Sequence, residues 1–130
     1  MSSIFTKIIQ GEIPAYKILE DSNFLAFLDV FPIAEGHCLV IPKEEIDNIF
    51  DLEDNKLAEL HVFSKKVAKA MEQSFECKKI GVSVIGLEVP HAHVHLIPMN
   101  TVSDMNFSKP KLSFSKEEME RIQHRIIQNL

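Results

Sequence analysis

The stretch His91-Ala-His-Val-His-Leu-Ile-Pro98, HAHVHLIP, places a histidine at every second position with an apolar residue in between. A period of two is that of a β-strand, so the three imidazoles should point to one face and Ala92, Val94 and Leu96 to the other. The apolar set predicts a face that packs on a hydrophobic core. The imidazoles are expected to form a row with neighbours roughly 6 to 7 Å apart, on a face that is wet or holds a ligand.

Three interpretations of this histidine face compete. A solvated strand face is the usual explanation of a lone histidine, but strict alternation of three makes it the weakest here. A metal site is open to two adjacent imidazoles, since the outer pair would lie roughly 13 Å apart whereas metal–nitrogen bonds are about 2 Å. Catalysis, with one imidazole as nucleophile or base and its neighbours orienting it or binding charge, is favoured over both.

The composition is that of an ordinary globular chain of 130 residues, so we expect one domain spanning residues 1–130. The net charge of −5 gives no overall basic footprint for nucleic acid, although a small phosphorylated metabolite fits a local site. Cys38 and Cys77 form no CxxC pair and are expected to be reduced thiols. Because neither a secretion signal nor a membrane span is found, we expect a cytoplasmic protein without membrane or nucleic-acid partners.

Hydrophobic periodicity and turn residues predict the order of the other elements. These are a short N-terminal helix ended by Gly11 and Pro14, strands over 16–20, 24–29, 37–42, 79–86 and the histidine run, and helices over 54–75 and 115–129. The run Ser115-Lys-Glu-Glu118 has the pattern of a capping box, and His61 and His124 are expected on helix surfaces. Short connections favour an antiparallel sheet with helices on one face, an α+β fold. The histidines are then expected on the side that the long helix does not cover, or at one end of that helix.

The histidine run resembles the signature of the histidine-triad (HIT) family of nucleotide hydrolases and transferases. Two further blocks resemble that family in the same order, IFTKIIQGEIPAYKILED at 4–21 and FLAFLDVFPIAEGHCLVIPK at 24–43. Small bacterial HIT and Hint-like hydrolases are the most similar branches. The resemblance implies a HIT-like fold, with a five-stranded antiparallel sheet, a long helix and a C-terminal helix. It also implies a homodimer in which two sheets join into ten strands.

The resemblance implies a role for each histidine of this region. His93 matches the family nucleophile, which attacks the α-phosphate of a nucleotide and becomes transiently nucleotidylated. His95 matches the histidine that contacts the phosphate, His91 the one that orients the nucleophile, and His37 a fourth histidine near the triad. General chemistry agrees, because flanking imidazoles can donate hydrogen bonds to phosphate oxygens or to the leaving group. No metal or other cofactor is implied.

Contacts to a purine nucleotide are implied by the first two blocks. Asp29 matches the carboxylate that binds the ribose hydroxyls, and a carboxylate can accept from two vicinal hydroxyls at once. Taken by itself, Asp29 would be interpreted as a turn-stabilising residue before Pro32. The positions implied to enclose the base are all apolar, and plain core packing is the alternative for each: Phe5, Ile8, Ile13, Phe27 and Val30.

The chain departs from the family pattern just ahead of the triad. A Gly-Gln-(Ser/Thr)-Val block is common there, whereas this chain has Gly86-Leu-Glu-Val89, so Glu88 adds a negative charge. The resemblance therefore implies a hydrolase of purine nucleoside phosphoramidates or related monophosphate derivatives, with an uncharged or cationic leaving group preferred. The alternatives are a dinucleoside polyphosphate hydrolase, a nucleotide-binding regulatory module with weak catalysis and, last, a structural metal protein.

Overall fold

A five-stranded antiparallel sheet and three α-helices make up the computed structural model, which describes residues 2–130. The strands are β1 (Lys17–Glu20), β2 (Phe24–Leu28), β3 (Cys38–Pro42), β4 (Lys79–Ser83) and β5 (Val94–Met99). The helices are α1 (Ile4–Ile9), α2 (Asp54–Ser74) and α3 (Lys116–Ile127). The strand order is β1-β2-β3-β5-β4, which confirms the predicted α+β fold and antiparallel sheet. Single turns of 3₁₀ helix at Ile49–Asp51 and Val102–Met105 were not predicted.

The centre of the sheet is buried on both faces. Strands β2 and β3 are buried along their whole length, which explains why FLAFL and CLVIP are continuous apolar runs rather than alternating ones. Helices α2 and α3 pack on one face, where they meet Ala92, Val94 and Leu96 as predicted. Helix α1 packs on the opposite face through Phe5 and Ile8. The expectation that helices cover a single face is therefore wrong, because the short helix closes the second one.

The last strand begins later than the sequence predicts. Strand β5 starts at Val94, so His91 and His93 precede it. Continuing the pairing of Val40 with Val94 would bring Ala92 opposite Pro42, which has no N–H to contribute to a ladder. The Ala92 N–H donates instead to the Ile46 carbonyl at 2.7 Å. The alternation of faces continues through this segment although the ladder has ended.

Most other sequence-based expectations for local structure are confirmed within a few residues. Strand β4 is an exception, since it ends at Ser83 opposite His95 rather than at Gly86. The capping box of α3 is present, and both cysteines are free. His61 and His124 are exposed on their helices. Within residues 2–130, none of the helices combines the length and the apolar character needed to cross a membrane. A single domain over 1–130 stays a prediction, and Met1 lies outside the described residues.

Gly36 lies where the turn before His37 touches the end of α2. Its φ is +86°, and a Cβ at this position would overlap the ring of Phe75. Gly11 has a similar φ of +80°, but open space surrounds the place where its Cβ would lie. Comparing alanine substitutions at Gly36 and Gly11 therefore separates the free-energy cost of a left-handed backbone from the free-energy cost of a steric clash.

We expect Gly36→Ala to lower the free energy of unfolding more than Gly11→Ala does. The left-handed conformation costs roughly 1–2 kcal/mol in both variants, and overpacking against Phe75 adds about 1–3 kcal/mol in Gly36→Ala alone. Urea denaturation of the two variants beside the parent measures this difference. Equal losses would show that the Phe75 ring moves aside without cost.

Candidate active site

Four histidine side chains meet on the sheet face that α1 covers. His37, His91, His93 and His95 are all at most 8% exposed, which contradicts a solvated strand face. The ring centroids of His93 and His95 lie 4.9 Å apart, and those of His37 and His95 lie 5.2 Å apart. The rings are thus closer than the predicted spacing of 6 to 7 Å, and they form a cluster rather than a row.

The imidazole of His93 is held in a single proton arrangement. Its Nδ1 lies 2.7 Å from the carbonyl oxygen of His91. A carbonyl oxygen can only accept, so Nδ1 carries the proton and the lone pair of a neutral ring is on Nε2. The ring of Phe5 packs edge-on against His93, with centroids 5.0 Å apart. The geometry thus leaves His93 Nε2 as an unprotonated nitrogen of defined orientation.

A chain of hydrogen bonds also sets the protons of His37 and His95. The backbone N–H of Ile33 donates to His37 Nδ1 at 3.1 Å, so the proton of a neutral His37 is on Nε2. This Nε2–H donates to His95 Nδ1 at 2.9 Å. His95 must then carry its own proton on Nε2. Its Nε2–H is the donor that this pair can offer to a bound anion.

Burial keeps these histidines neutral. It lowers the pKa of both His37 and His95 to about 3, and it also lowers the pKa of His91. The unfolded chain, with ordinary histidine pKa values near 6.5, therefore binds protons that the folded chain does not. The folded state accordingly loses stability as the pH falls from about 6.5 towards 3. At neutral pH His37, His91 and His95 are therefore neutral rings, each with one N–H donor and one lone pair.

Both ring nitrogens of His91 form hydrogen bonds within the protein. His91 is completely buried, and its Nε2–H donates to the carbonyl oxygen of Pro42 at 2.8 Å. Its Nδ1 therefore accepts a hydrogen bond, and the hydroxyl of Ser3 donates it at 2.8 Å. The backbone carbonyl of His91 supports His93. Sequence analysis did not find Ser3, because a serine ahead of a short helix carries no signal beyond helix capping.

The two carboxylate oxygens of Asp29 have different surroundings. One carboxylate oxygen accepts from the Phe31 N–H at 2.8 Å, which is the turn-stabilising contact. The other oxygen lies 3.6 Å from His37 Nε2, and 18% of the side chain is exposed. One oxygen thus stabilises the turn after β2 while the second faces the histidine cluster.

The apolar residues expected around a base divide into two groups. Phe5, Ile8 and Phe27 are buried together on the histidine face, and Ile13 packs against them. Val30 stands apart from this group, because it is 53% exposed and belongs to neither hydrophobic cluster. The structure thus brings together four of the five predicted residues beside the histidines.

Two further residues approach the cluster from the segment between β5 and α3. The ring of Phe107 packs edge-on against His95 with centroids 4.7 Å apart, and it lies 6.1 Å from His37. The ammonium of Lys111 lies 5.8 Å from the centroid of the Phe107 ring. The Leu112 N–H donates to the Pro32 carbonyl at 2.8 Å, which fixes this segment beside the turn after β2. The loop-like composition of this segment gave no sign of these contacts.

A metal ion fits the cluster less well than hydrogen bonding does. Asp29, His37 and His95 have potential ligand atoms within 4.8 Å of one another. However, His37 Nδ1 accepts from the Ile33 N–H, so Nε2 must carry the ring proton. Binding a metal through Nε2 would require His37 to lose both ring protons. The arrangement is therefore that of a hydrogen-bonded pair.

Comparison with known proteins identifies the family. A family model described as the HIT domain matches residues 10–102. The chain belongs to the HIT family. This HIT protein is 36% identical over 124 residues to the adenosine 5'-monophosphoramidase hnt1 of Schizosaccharomyces pombe, covering 94% of this chain and 93% of that protein.

Two other HIT proteins extend the similarity. This chain is 39% identical over 102 residues to the protein hit of Bacillus subtilis, covering 73% of this chain and 69% of that protein. The crystal structure of a Hit-like protein from Bartonella henselae superposes with a TM-score of 0.86 at 30% identity, covering 99% of this chain and 96% of that chain. The whole described fold is thus that of a HIT protein.

We expect Phe107→Ala to raise the pKa of His95 from about 3 towards its ordinary value of 6.5. Loss of the ring admits water beside His95 and reduces the desolvation that disfavours the charged form. An NMR titration of the histidine ring protons measures the change. Phe50→Ala, which removes an exposed ring outside the cluster, is the control. An unchanged His95 titration in Phe107→Ala would mean that the strands alone exclude water.

Proposed function

We propose that this HIT hydrolase cleaves purine nucleoside phosphoramidates, or related nucleoside monophosphate derivatives, at the α-phosphate through a nucleotidyl-His93 intermediate. The hydrogen bond from His93 Nδ1–H to the His91 carbonyl carries the proposal, because it leaves Nε2 free to attack phosphorus. The name of the Schizosaccharomyces pombe relative, a monophosphoramidase, supports the substrate class.

In the first step, His93 Nε2 forms a bond to the α-phosphorus while the bond to the leaving group breaks. The ring then carries a positive charge, which the His91 carbonyl stabilises through Nδ1–H at 2.7 Å. His95 Nε2–H donates a hydrogen bond to a phosphate oxygen or to the leaving group, and a leaving amine departs with a proton taken from solvent. In the second step, water attacks phosphorus and gives up a proton to solvent, the bond between phosphorus and His93 Nε2 breaks, and a nucleoside monophosphate is released from neutral His93.

The remaining predicted residues would hold the nucleoside. We assign the ribose hydroxyls to the carboxylate of Asp29, whose second oxygen is not used by the Phe31 turn. The base would lie against the apolar group next to the histidines, with the exposed Val30 as an outer contact. The members of this base site are Phe5, Ile8, Ile13, Phe27 and Val30.

The leaving group distinguishes two candidate functions. Glu88 is exposed just ahead of the triad, and its charge favours an uncharged or cationic leaving group such as an amine. Lys111 favours the second candidate, a dinucleoside polyphosphate hydrolase, because its ammonium lies against the Phe107 ring that touches His95. The phosphoramidate remains our first choice, because Glu88 lies in the block where the common family pattern has polar, uncharged residues.

We also propose that the protein is a cytoplasmic homodimer with a joined ten-stranded sheet. Strand β4 is an edge strand, and apolar side chains stay exposed along it and after it: Val82, Ile85 and Leu87. A monomeric mass in analytical ultracentrifugation would contradict the dimer.

Two free cysteines agree with a reducing compartment, and recovery of the native protein outside the cytoplasm in cell fractionation would contradict that location.

We expect the parent protein to release AMP from adenosine phosphoramidate in the presence of EDTA, and His93→Ala to lose at least about 10³-fold in kcat/KM. His61→Ala, which removes an exposed histidine, should keep full activity. A dinucleoside polyphosphate run in parallel tests the second candidate, which replaces the first if its turnover is much faster. A folded, AMP-binding parent without turnover would indicate a binding module, and activity that EDTA abolishes would indicate a metal enzyme.

We expect Asp29→Ala to weaken ribonucleotide substrates about 10- to 100-fold in kcat/KM while affecting 2'-deoxyribose analogues much less. Asp29→Asn keeps an acceptor for the Phe31 N–H and serves as the control for the turn. Steady-state kinetics with both sugars measure the difference. Equal losses for ribose and deoxyribose would assign Asp29 to the turn alone.

A further inference from the structure

A network of hydrogen bonds connects the start of α1 to the rear of the triad. We call it the Ser3 network, and it consists of Ser3, Thr6, Glu45 and His91. None of these side chains except His91 has a part in the proposed chemistry. Ser3 is only 6% exposed. A buried polar side chain needs hydrogen-bond partners, and those of Ser3 lead to the triad.

Two acceptors lie within reach of the Ser3 hydroxyl proton, His91 Nδ1 at 2.8 Å and Thr6 Oγ1 at 3.3 Å, and Ser3 also accepts a hydrogen bond. Its Oγ accepts from the Thr6 N–H at 3.0 Å and so caps α1. Its hydroxyl proton goes to His91 Nδ1 at 2.8 Å, because the Pro42 carbonyl already fixes the proton of His91 on Nε2. Only a side chain that can accept and donate at once satisfies both partners. A simple helix cap would not need the second bond.

Glu45 fixes Ser3 from the loop after β3. Its Oε1 accepts from the Ser3 N–H and from the Thr6 hydroxyl, both at 2.6 Å. These hydrogen bonds lower the pKa of the Glu45 carboxyl, so it is ionised at neutral pH. The same loop follows Pro42, whose carbonyl holds the other side of His91. Glu45 therefore fixes Ser3, which binds His91 Nδ1. It also lies in the loop that follows Pro42, whose carbonyl binds His91 Nε2.

The network reaches the reacting atoms through the backbone of His91. The imidazole of His91 is clamped on both sides, and its own carbonyl oxygen accepts from His93 Nδ1–H. Helix α1 also places Phe5 against the rings of His91 and His93, with centroid distances of 5.7 and 5.0 Å. A shift of His91 would move the hydrogen bond that selects the proton position of His93.

We propose that Ser3 and Glu45 are positioning residues, which hold His91 so that its carbonyl keeps the nucleophilic tautomer of His93. The inference rests on the proposed function, in which His93 is the nucleophile. Neither residue touches the substrate. Their effect should therefore fall on the chemical step rather than on substrate binding.

The test compares Ser3→Ala and Ser3→Thr with Ser115→Ala, which removes the cap of α3 without touching the triad. We expect Ser3→Ala to lose about 10- to 100-fold in kcat with KM within about threefold, because a small misplacement of the nucleophile suffices for such a loss. Ser3→Thr, which keeps the hydroxyl, should recover most of kcat. Glu45→Ala should also lower kcat, and Glu45→Gln, which keeps one acceptor oxygen, should lower kcat by a smaller factor. Ser115→Ala should lower the free energy of unfolding without changing kcat.

A second readout does not depend on activity. The ¹⁵N shifts of the His93 ring report which nitrogen carries the proton, and Ser3→Ala should show a mixture where the parent shows Nδ1–H alone. A Ser3→Ala protein with the parent's kcat and the parent's His93 shifts would overturn the proposal and reduce Ser3 to a helix cap. Activity retained in His93→Ala would overturn the proposed function instead, and the ¹⁵N shifts would then still decide whether Ser3 sets the His93 tautomer.

Discussion

The hydrogen bond from His93 Nδ1–H to the His91 carbonyl is the contact around which the site is built. It forms in the segment just before β5, outside the ladder that joins β5 to β3. In a regular inner strand, backbone carbonyls are bonded to neighbouring strands and are not free for side chains. Pro42 lies where the ladder would continue and has no N–H to offer, and Ala92 turns its own N–H to Ile46. His91 and His93 therefore lie outside the β3–β5 ladder, and the His91 carbonyl accepts from a side chain, His93 Nδ1–H.

The proton positions on the other histidine rings are set by backbone groups that can only donate or only accept a hydrogen bond. The Ile33 N–H can only donate, and the Pro42 carbonyl can only accept. Each fixes one nitrogen of a neutral ring and thereby the role of the other nitrogen. Ile33 sets the proton position of His37, and His37 in turn sets that of His95. Pro42 sets the proton position of His91, and His91 in turn sets the direction of the Ser3 hydroxyl. Burial supplies the condition for these proton positions, since charged rings would donate from both nitrogens.

The sequence could predict the parts of this arrangement that depend on local periodicity. Alternation in HAHVHLIP correctly separated the histidine face from the core face, and helical spacing found α2 within one residue at its end. The exact start of β5 could not be predicted, because it depends on Pro42, some fifty positions away in the chain. Ser3 and Phe107 could not be predicted for a similar reason. Ser3 resembles any helix cap, and Phe107 lies in a segment of loop composition. Only tertiary contacts bring these two side chains to the histidines.

The burial of the histidine cluster determines how it can bind a charged substrate. Aromatic rings of Phe5 and Phe107 border His93 and His95, and burial keeps His37, His91 and His95 neutral, so these three rings supply no positive charge to balance a phosphate. An incoming anion must be stabilised by neutral N–H donors, which interact more strongly where water is excluded. Asp29 lies on one side of the cluster, Lys111 beyond Phe107, and Glu45 behind His91, to which it is connected through Ser3. A lysine outside the ring acts mainly through a long-range field, which salt screens. Under the proposed mechanism, the preference between leaving groups should therefore depend on ionic strength more strongly than the rate of attack by His93 does.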